Sequence, residues 1–168
     1  MTTLPIDALV ARIATDPECE LYPPAGKPSL EPGLELPPDL ARFYERCGGC
    51  ALFPPSAYGV EISPPGQLVR INEELLHEAF PDDPSHGWFT IGRTQGTDTV
   101  ASVDLRPGRL GRCYLALFDR HGIVGGCPVI ARSFTELLTR LYADGGDHWY
   151  WFREGFESLG DAYDEFFR

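Results

Sequence analysis

Cys47-Gly48-Gly49-Cys50 has the spacing of a redox pair or of half a zinc site. Redox chemistry needs a stabilised thiolate, which a helix N-terminus supplies and a helix C-terminus does not. A structural zinc needs about four ligands, and no second Cys-x-x-Cys or His-x3-His follows in the chain. Cys113 and Cys127 could complete a site only by a coincidence of folding. His77, His86, His121 and His148 are scattered, with no nucleophile elbow or other local signature of Ser-His-Asp or Cys-His chemistry beside them. Gly122-Ile-Val-Gly-Gly126 lacks the glycine spacing and the following Lys-Ser/Thr of a phosphate loop. Asp98 and Asp104 read as turn and strand-end carboxylates bonding nearby backbone. They could also flank a site as general acid and base. Glu73-Glu74 and Asp82-Asp83 are either solvated charge or part of an acidic face for a basic partner.

The bulk of the chain narrows these readings. Its 168 residues fit one domain, and 43% hydrophobic residues suffice for an ordinary core. The formal net charge is -11, and Lys27 is the only lysine. Nucleic acid and anionic membrane surfaces are disfavoured partners, because both need Lys and Arg to meet phosphate. The first residues, Met-Thr-Thr-Leu-Pro-Ile-Asp, lack a basic region and a long apolar run. No window approaches the roughly 18 apolar residues of a membrane helix. The reading is of a cytoplasmic protein. Cys19, Cys47, Cys50, Cys113 and Cys127 make an odd count, which argues against a disulfide framework.

The elements that must position these residues follow from periodicity. Ile6, Leu9, Val10 and Ile13 predict a helix over 4–15. Residues 17–38 carry seven prolines and predict an irregular segment. A second helix spans about 38–47, with Leu40, Phe43 and Tyr44 on one face, Asp39 at its positive end and Gly48 as the left-handed residue closing it. Strands are expected over 50–53, 58–62, 88–91, 99–105, 112–119 and 128–131, with most of 68–80 helical between them. The 112–119 strand is apolar on both faces, as a central strand would be. Ser133 and Glu136 form a capping box for a helix through Leu141. Trp149, Phe152, Phe156, Leu159, Tyr163 and Phe166 then recur at roughly helical spacing, which predicts one or two short helices.

The order of these elements carries a resemblance. A Leu-Pro opens a helix that ends in Gly-Gly; a Trp-x-x-Ile-Gly strand follows, then Gly-x-Asp, a strand bearing Asp, Gly-x-x-Tyr and a helix-opening Ser-Phe. This resembles the SUKH superfamily, which includes a yeast cell-wall regulator and many bacterial immunity proteins. The matching residues are Leu36-Pro37, Leu40, Tyr44, Gly48-Gly49, Trp88, Ile91-Gly92, Asp98, Asp104, Gly111, Tyr114, Ser133-Phe134 and Leu137-Leu138, across about residues 34–143. The family usually has Asn where Cys47 stands, so a local side-chain cap is given up. The resemblance implies a non-enzymatic binding module with no catalytic residue, metal or cofactor. Many such proteins look like cytoplasmic antidotes to polymorphic toxins, often nucleases, and an acidic chain suits a basic nuclease surface.

The expectation is a single α+β domain over residues 1–168. It has a mostly antiparallel central sheet of about five or six strands with flanking helices. An aromatic, acidic C-terminal helical extension occupies 144–168. The expected partner-binding set is Glu73, Glu74, Asp82, Asp83, Trp88, Asp98 and Asp104, and the expected partner is a basic toxin. The expected structural motif is Leu36, Pro37, Tyr44, Gly48, Gly49, Trp88, Gly111, Tyr114, Ser133 and Phe134. Exposed tail aromatics could also contact a second copy of the chain, making a homodimer. A general scaffolding module of the same fold, and a hydrolase using Asp98, Asp104 and a histidine, remain open alternatives.

Overall fold

Each strand of this protein pairs antiparallel with its sequence neighbours, giving one seven-stranded sheet in the order β1 to β7. The computed structural model describes residues 2–97 and 99–164. The strands are β1 (Glu20–Leu21), β2 (Cys50–Leu52), β3 (Val60–Ile62), β4 (Trp88–Thr94), β5 (Thr99–Asp104), β6 (Cys113–Leu117) and β7 (Val129–Ala131). The helices are α1 (Ile6–Thr15), α2 (Pro38–Arg46), α3 (Ile71–Leu76) and α4 (Phe134–Ala143). The fold is α+β, with one strand beyond the expected number.

Period-two alternation divides the sheet into two faces. Ala101, Val103, Cys113 and Leu115 pack with the apolar stripes of α1, α2 and α4 in the main core. Val100, Tyr114 and Ala116 point the other way, into a smaller cluster with Ile71 of α3, Trp88, Ala162 and Tyr163. Trp88 centres that cluster: its ring lies 4.7 Å from Tyr114 and 5.4 Å from Tyr163. The double burial expected of β6 is therefore real, with the last strand, β7, beside it.

The structure corrects several local expectations. The proline-rich stretch contains β1, whose Glu20 and Leu21 face Ala51 and Cys50. The prolines at 17 and 23 flank these two residues and leave their hydrogen-bonding groups intact. Helix α3 is shorter than 68–80, because Val69 and Arg70 pair with β4 instead, through Thr90 N to Val69 O and an Arg70–Phe89 bridge. His77 ends the helix in the left-handed conformation. The left-handed residue near α2 is Gly49 (φ 103°), not Gly48, and Cys47 is the extended C-cap. Gly48 is required for a different reason: a Cβ there would lie 2.2 Å from the Pro23 carbonyl oxygen.

Among the described residues the C-terminal segment is not helical beyond a 3-10 turn at Tyr150–Phe152. Gly155 and Gly160 have positive φ, so the helical spacing of the aromatics is not realised. Trp149, Tyr150 and Trp151 enter the main core, whereas Phe152 stays exposed. Residues 159–162 instead lie along β7, through Leu159 N to Val129 O, Val129 N to Gly160 O and Ala162 N to Cys127 O. Phe166 lies outside the described residues.

Candidate functional site

The carboxylates expected to meet a partner are distributed unevenly between structure and surface. Asp104 is 0% exposed. It accepts from Arg106 N and Nε at 3.0 Å, Arg106 Nη2 at 2.7 Å and Tyr114 OH at 2.7 Å. A carboxylate so enclosed is not free to act as a base or to touch a partner. Asp98 lies outside the described residues. Glu74 accepts from Arg93 Nε at 2.7 Å and from the Thr90 hydroxyl, which fastens α3 to β4. Asp83 accepts from Ser85 N at 2.9 Å, from the Ser85 hydroxyl and from Tyr163 OH at 2.9 Å. Trp88 is 1% exposed and packs the second face. Glu73 and Asp82 remain exposed. Asp82 and Asp83 line an open cavity of about 460 Å³ with Leu34, Pro81, His86 and Arg106.

A buried polar chain runs beneath this acidic region, and the sequence held no signal for it. Asn72 Nδ2 donates to Ser85 Oγ at 2.9 Å, and the Ser85 hydroxyl donates to Asp83. Asn72 Oδ1 faces His121 Nε2, so His121 carries its proton on Nε2. The other ring nitrogen, Nδ1, is buried without a partner, and burial pushes the His121 pKa down. His121 meets the asparagine and not the serine, so His121 and Ser85 do not form a Ser-His pair. The chain ties α3, the turn before β4, the loop before β7 and the C-terminal segment together around Trp88.

The cysteines lie on the unreactive side of their chemistry. Cys47 and Cys50 are buried where α2 ends and β2 begins, and all five thiols are free. Burial raises the pKa of both, and Cys127 is pushed up to about 11. Among the described residues no group of three or more His, Cys, Asp or Glu is placed to hold a metal ion. Among the same residues no helix is long and apolar enough to cross a membrane.

The motif residues converge where α2 and α4 begin. Pro37 is buried, and a Cβ on Gly111, which has φ 89°, would lie 3.7 Å from the Pro37 ring and 4.0 Å from Ser133 Cα. Asp39 Oδ2 accepts from both Thr135 N and Thr135 Oγ1 at 2.8 Å, so α2 supplies a carboxylate to the first turn of α4. The Ser133 hydroxyl accepts from Glu136 N at 3.0 Å, and Glu136 reaches back to Arg132 N at 2.8 Å. Phe134 stacks edge-on against Phe43 at 4.9 Å, and Tyr44 OH donates to the Ser63 carbonyl at 2.8 Å. Leu36 packs at the margin of the same core. These small and apolar positions define a scaffold.

A model of the SMI1 / KNR4 family (SUKH-1) matches residues 30–140. The chain belongs to this SUKH-1 family. It is 41% identical over 159 residues, spanning 95% of this chain and 96% of the relative, to a Bacillus subtilis (strain 168) protein named "Immunity protein YokJ". No solved structure matches it. In this SUKH-1 protein Pro37, Asp39, Gly111, Ser133 and Phe134 join α2, α4 and the sheet. Three exposed apolar residues, Phe118, Ile123 and Val124, were not singled out from sequence. Phe118 follows the apolar β6 and looks like its continuation, and Ile123-Val124 looks like a short core segment.

Proposed function

We propose that this SUKH-1 protein is a cytoplasmic immunity protein that neutralises a cognate toxin by binding it directly, with no reaction of its own. The observation that carries this reading is the 41% identity to a named immunity protein over nearly the full length of both chains. The -11 charge favours a basic toxin, such as a nuclease whose active surface binds phosphate. Occlusion of that surface, or contact beside it, is the mechanism. Asp104, the carboxylate the hydrolase alternative needs, is held by Arg106 and Tyr114.

The test is co-expression in a toxin-sensitive bacterial host with the toxin domain encoded beside this chain's gene. Protection of growth, with a stoichiometric complex on gel filtration, is the expected result. A folded protein that neither protects nor binds that toxin domain refutes the reading. Protection without a complex would point instead to chemistry on the toxin or its target.

A further inference from the structure

Phe118 is 57% exposed, and Ile123 and Val124 are each 56% exposed. They share the segment between β6 and β7, and that segment is rigidly built. His121 and Cys127 anchor its underside in the core. Successive turns close through Arg120 N to Leu117 O, Ile123 N to Arg120 O and Gly126 N to Ile123 O. Gly122 and Gly125 have φ 82° and 84°, and a Cβ on Gly126 would lie 2.6 Å from the Arg120 carbonyl oxygen. The loop therefore holds its apolar side chains outward in a fixed shape. Fixed presentation lowers the ordering entropy lost on binding.

The surroundings of this patch are acidic. Residues 71–87 include Glu73, Glu78 and Asp82, all exposed, and no Lys or Arg. The sheet register puts α3, with Glu73 in it and Glu78 just past its end, on the same side as Phe118. Glu74 of α3 reaches Arg93, Arg93 pairs with Val100, and Val100 pairs with Ala116. The second half of α3 thus lies over the end of the sheet that leads into Phe118. His121 closes the arrangement through Asn72 of α3. Asp119 adds a further exposed carboxylate, and Arg120 is the one cation of the loop segment 118–128.

We infer that this second face is the docking surface for the toxin, with Phe118, Ile123 and Val124 as anchors and Glu73, Glu78 and Asp119 as an acidic rim. The occupant is a basic protein surface carrying an apolar recess. Apolar anchors at the centre with steering charges around them are the usual division of labour in an interface. A second copy of the chain is the wrong occupant, because it would set two acidic rims against each other. The inference rests on the proposed immunity function and adds where contact is made.

Three variants are compared with the unmodified protein against the toxin domain encoded beside the gene. Phe118→Ala/Val124→Ser is expected to weaken the Kd by about 30-fold or more at unchanged Tm. Glu73→Gln/Glu78→Gln is expected to slow association several-fold at low salt and little at high salt. Glu18→Gln/Glu20→Gln, with the same charge change at the β1 edge, is expected to bind normally. Protection by the unmodified protein and undiminished binding by the first two variants overturns this surface and leaves the immunity function standing. Absence of binding by the unmodified protein overturns both. A homodimer that disperses on Phe118→Ala/Val124→Ser makes the patch a self-contact and also overturns the inference.

Discussion

Removing the guanidinium from Arg106 would expose how much of the fold depends on one enclosed carboxylate. Asp104 is fully buried and, among the described residues, accepts three bonds from Arg106 and one from Tyr114. Arg106→Met keeps the aliphatic stem, which crosses Gly87 so closely that a Cβ there would sit 2.3 Å from Arg106 Cγ. The variant leaves the Tyr114 hydroxyl and one backbone N–H on the carboxylate. Breaking a buried ion pair from one side costs about 3–5 kcal/mol. The Arg106 side chain is 22% exposed, so water screens part of the interaction. A discounted cost of about 2–4 kcal/mol follows. For a chain of this size that corresponds to roughly 4–16 °C in Tm. Asp104→Asn removes the charge instead of its partner, and the double variant Asp104→Asn/Arg106→Met removes both. The double should lose less than the sum of the singles by about 1–3 kcal/mol. Urea unfolding of the four proteins at pH 7 measures every term. A cost below about 0.5 kcal/mol for Arg106→Met, or strict additivity in the cycle, would refute the view that this pair secures the end of β5.

Three further outcomes follow from other sites. Gly49→Ala should destabilise by at least about 2 kcal/mol in thermal melts, since Gly49 has φ 103° and a Cβ would meet Ile62 O at 2.7 Å, whereas Gly66→Ala, in open space, should be near neutral. Cys47→Ser/Cys50→Ser should keep toxin binding and lose stability, about 1–3 kcal/mol for each buried hydroxyl without a good partner, and loss of binding by a folded variant would revive a chemical role for the pair. His121 has a folded pKa lowered by burial, so its contribution is present above the unfolded value near 6.5 and is lost as pH falls below it. The pH dependence of unfolding between about pH 7 and 5 should accordingly flatten in His121→Gln, and an unchanged slope would show that His121 is not buried in its neutral form.

The main helices and most strands were legible because local signals agreed. The stripes of α1, α2 and α4, the capping residues at Ser133 and Glu136, the alternation of β5 and the apolar run of β6 each specify an element without help from distant residues. The antiparallel order was also accessible, because every strand pairs with its sequence neighbour. The C-terminal segment misled, because aromatics at helical spacing were distributed over two different cores. Trp149 and Trp151 pack on the helical side, and Tyr163 packs on the other. The candidate site was less legible. Paired acids such as Glu73-Glu74 and Asp82-Asp83 look equivalent in sequence, yet one of each pair is bound by side chains contributed from elsewhere.

The sequence by itself determined the family scaffold, because Leu36-Pro37, Gly48-Gly49, Gly111 and Ser133-Phe134 are required by local geometry and close approach. It also determined the chain's own net charge of -11. Only the tertiary structure decided which carboxylates are available and which apolar residues reach the surface. Arg106 is a local partner of Asp104, but Tyr114 on Asp104 and Tyr163 on Trp88 come from elements that no local pattern couples to them. Phe118, Ile123 and Val124 stand outside because the loop beneath them is fixed by His121, Cys127 and its glycines. Burial is a property of neighbours brought together by folding, and those neighbours are far apart in the chain.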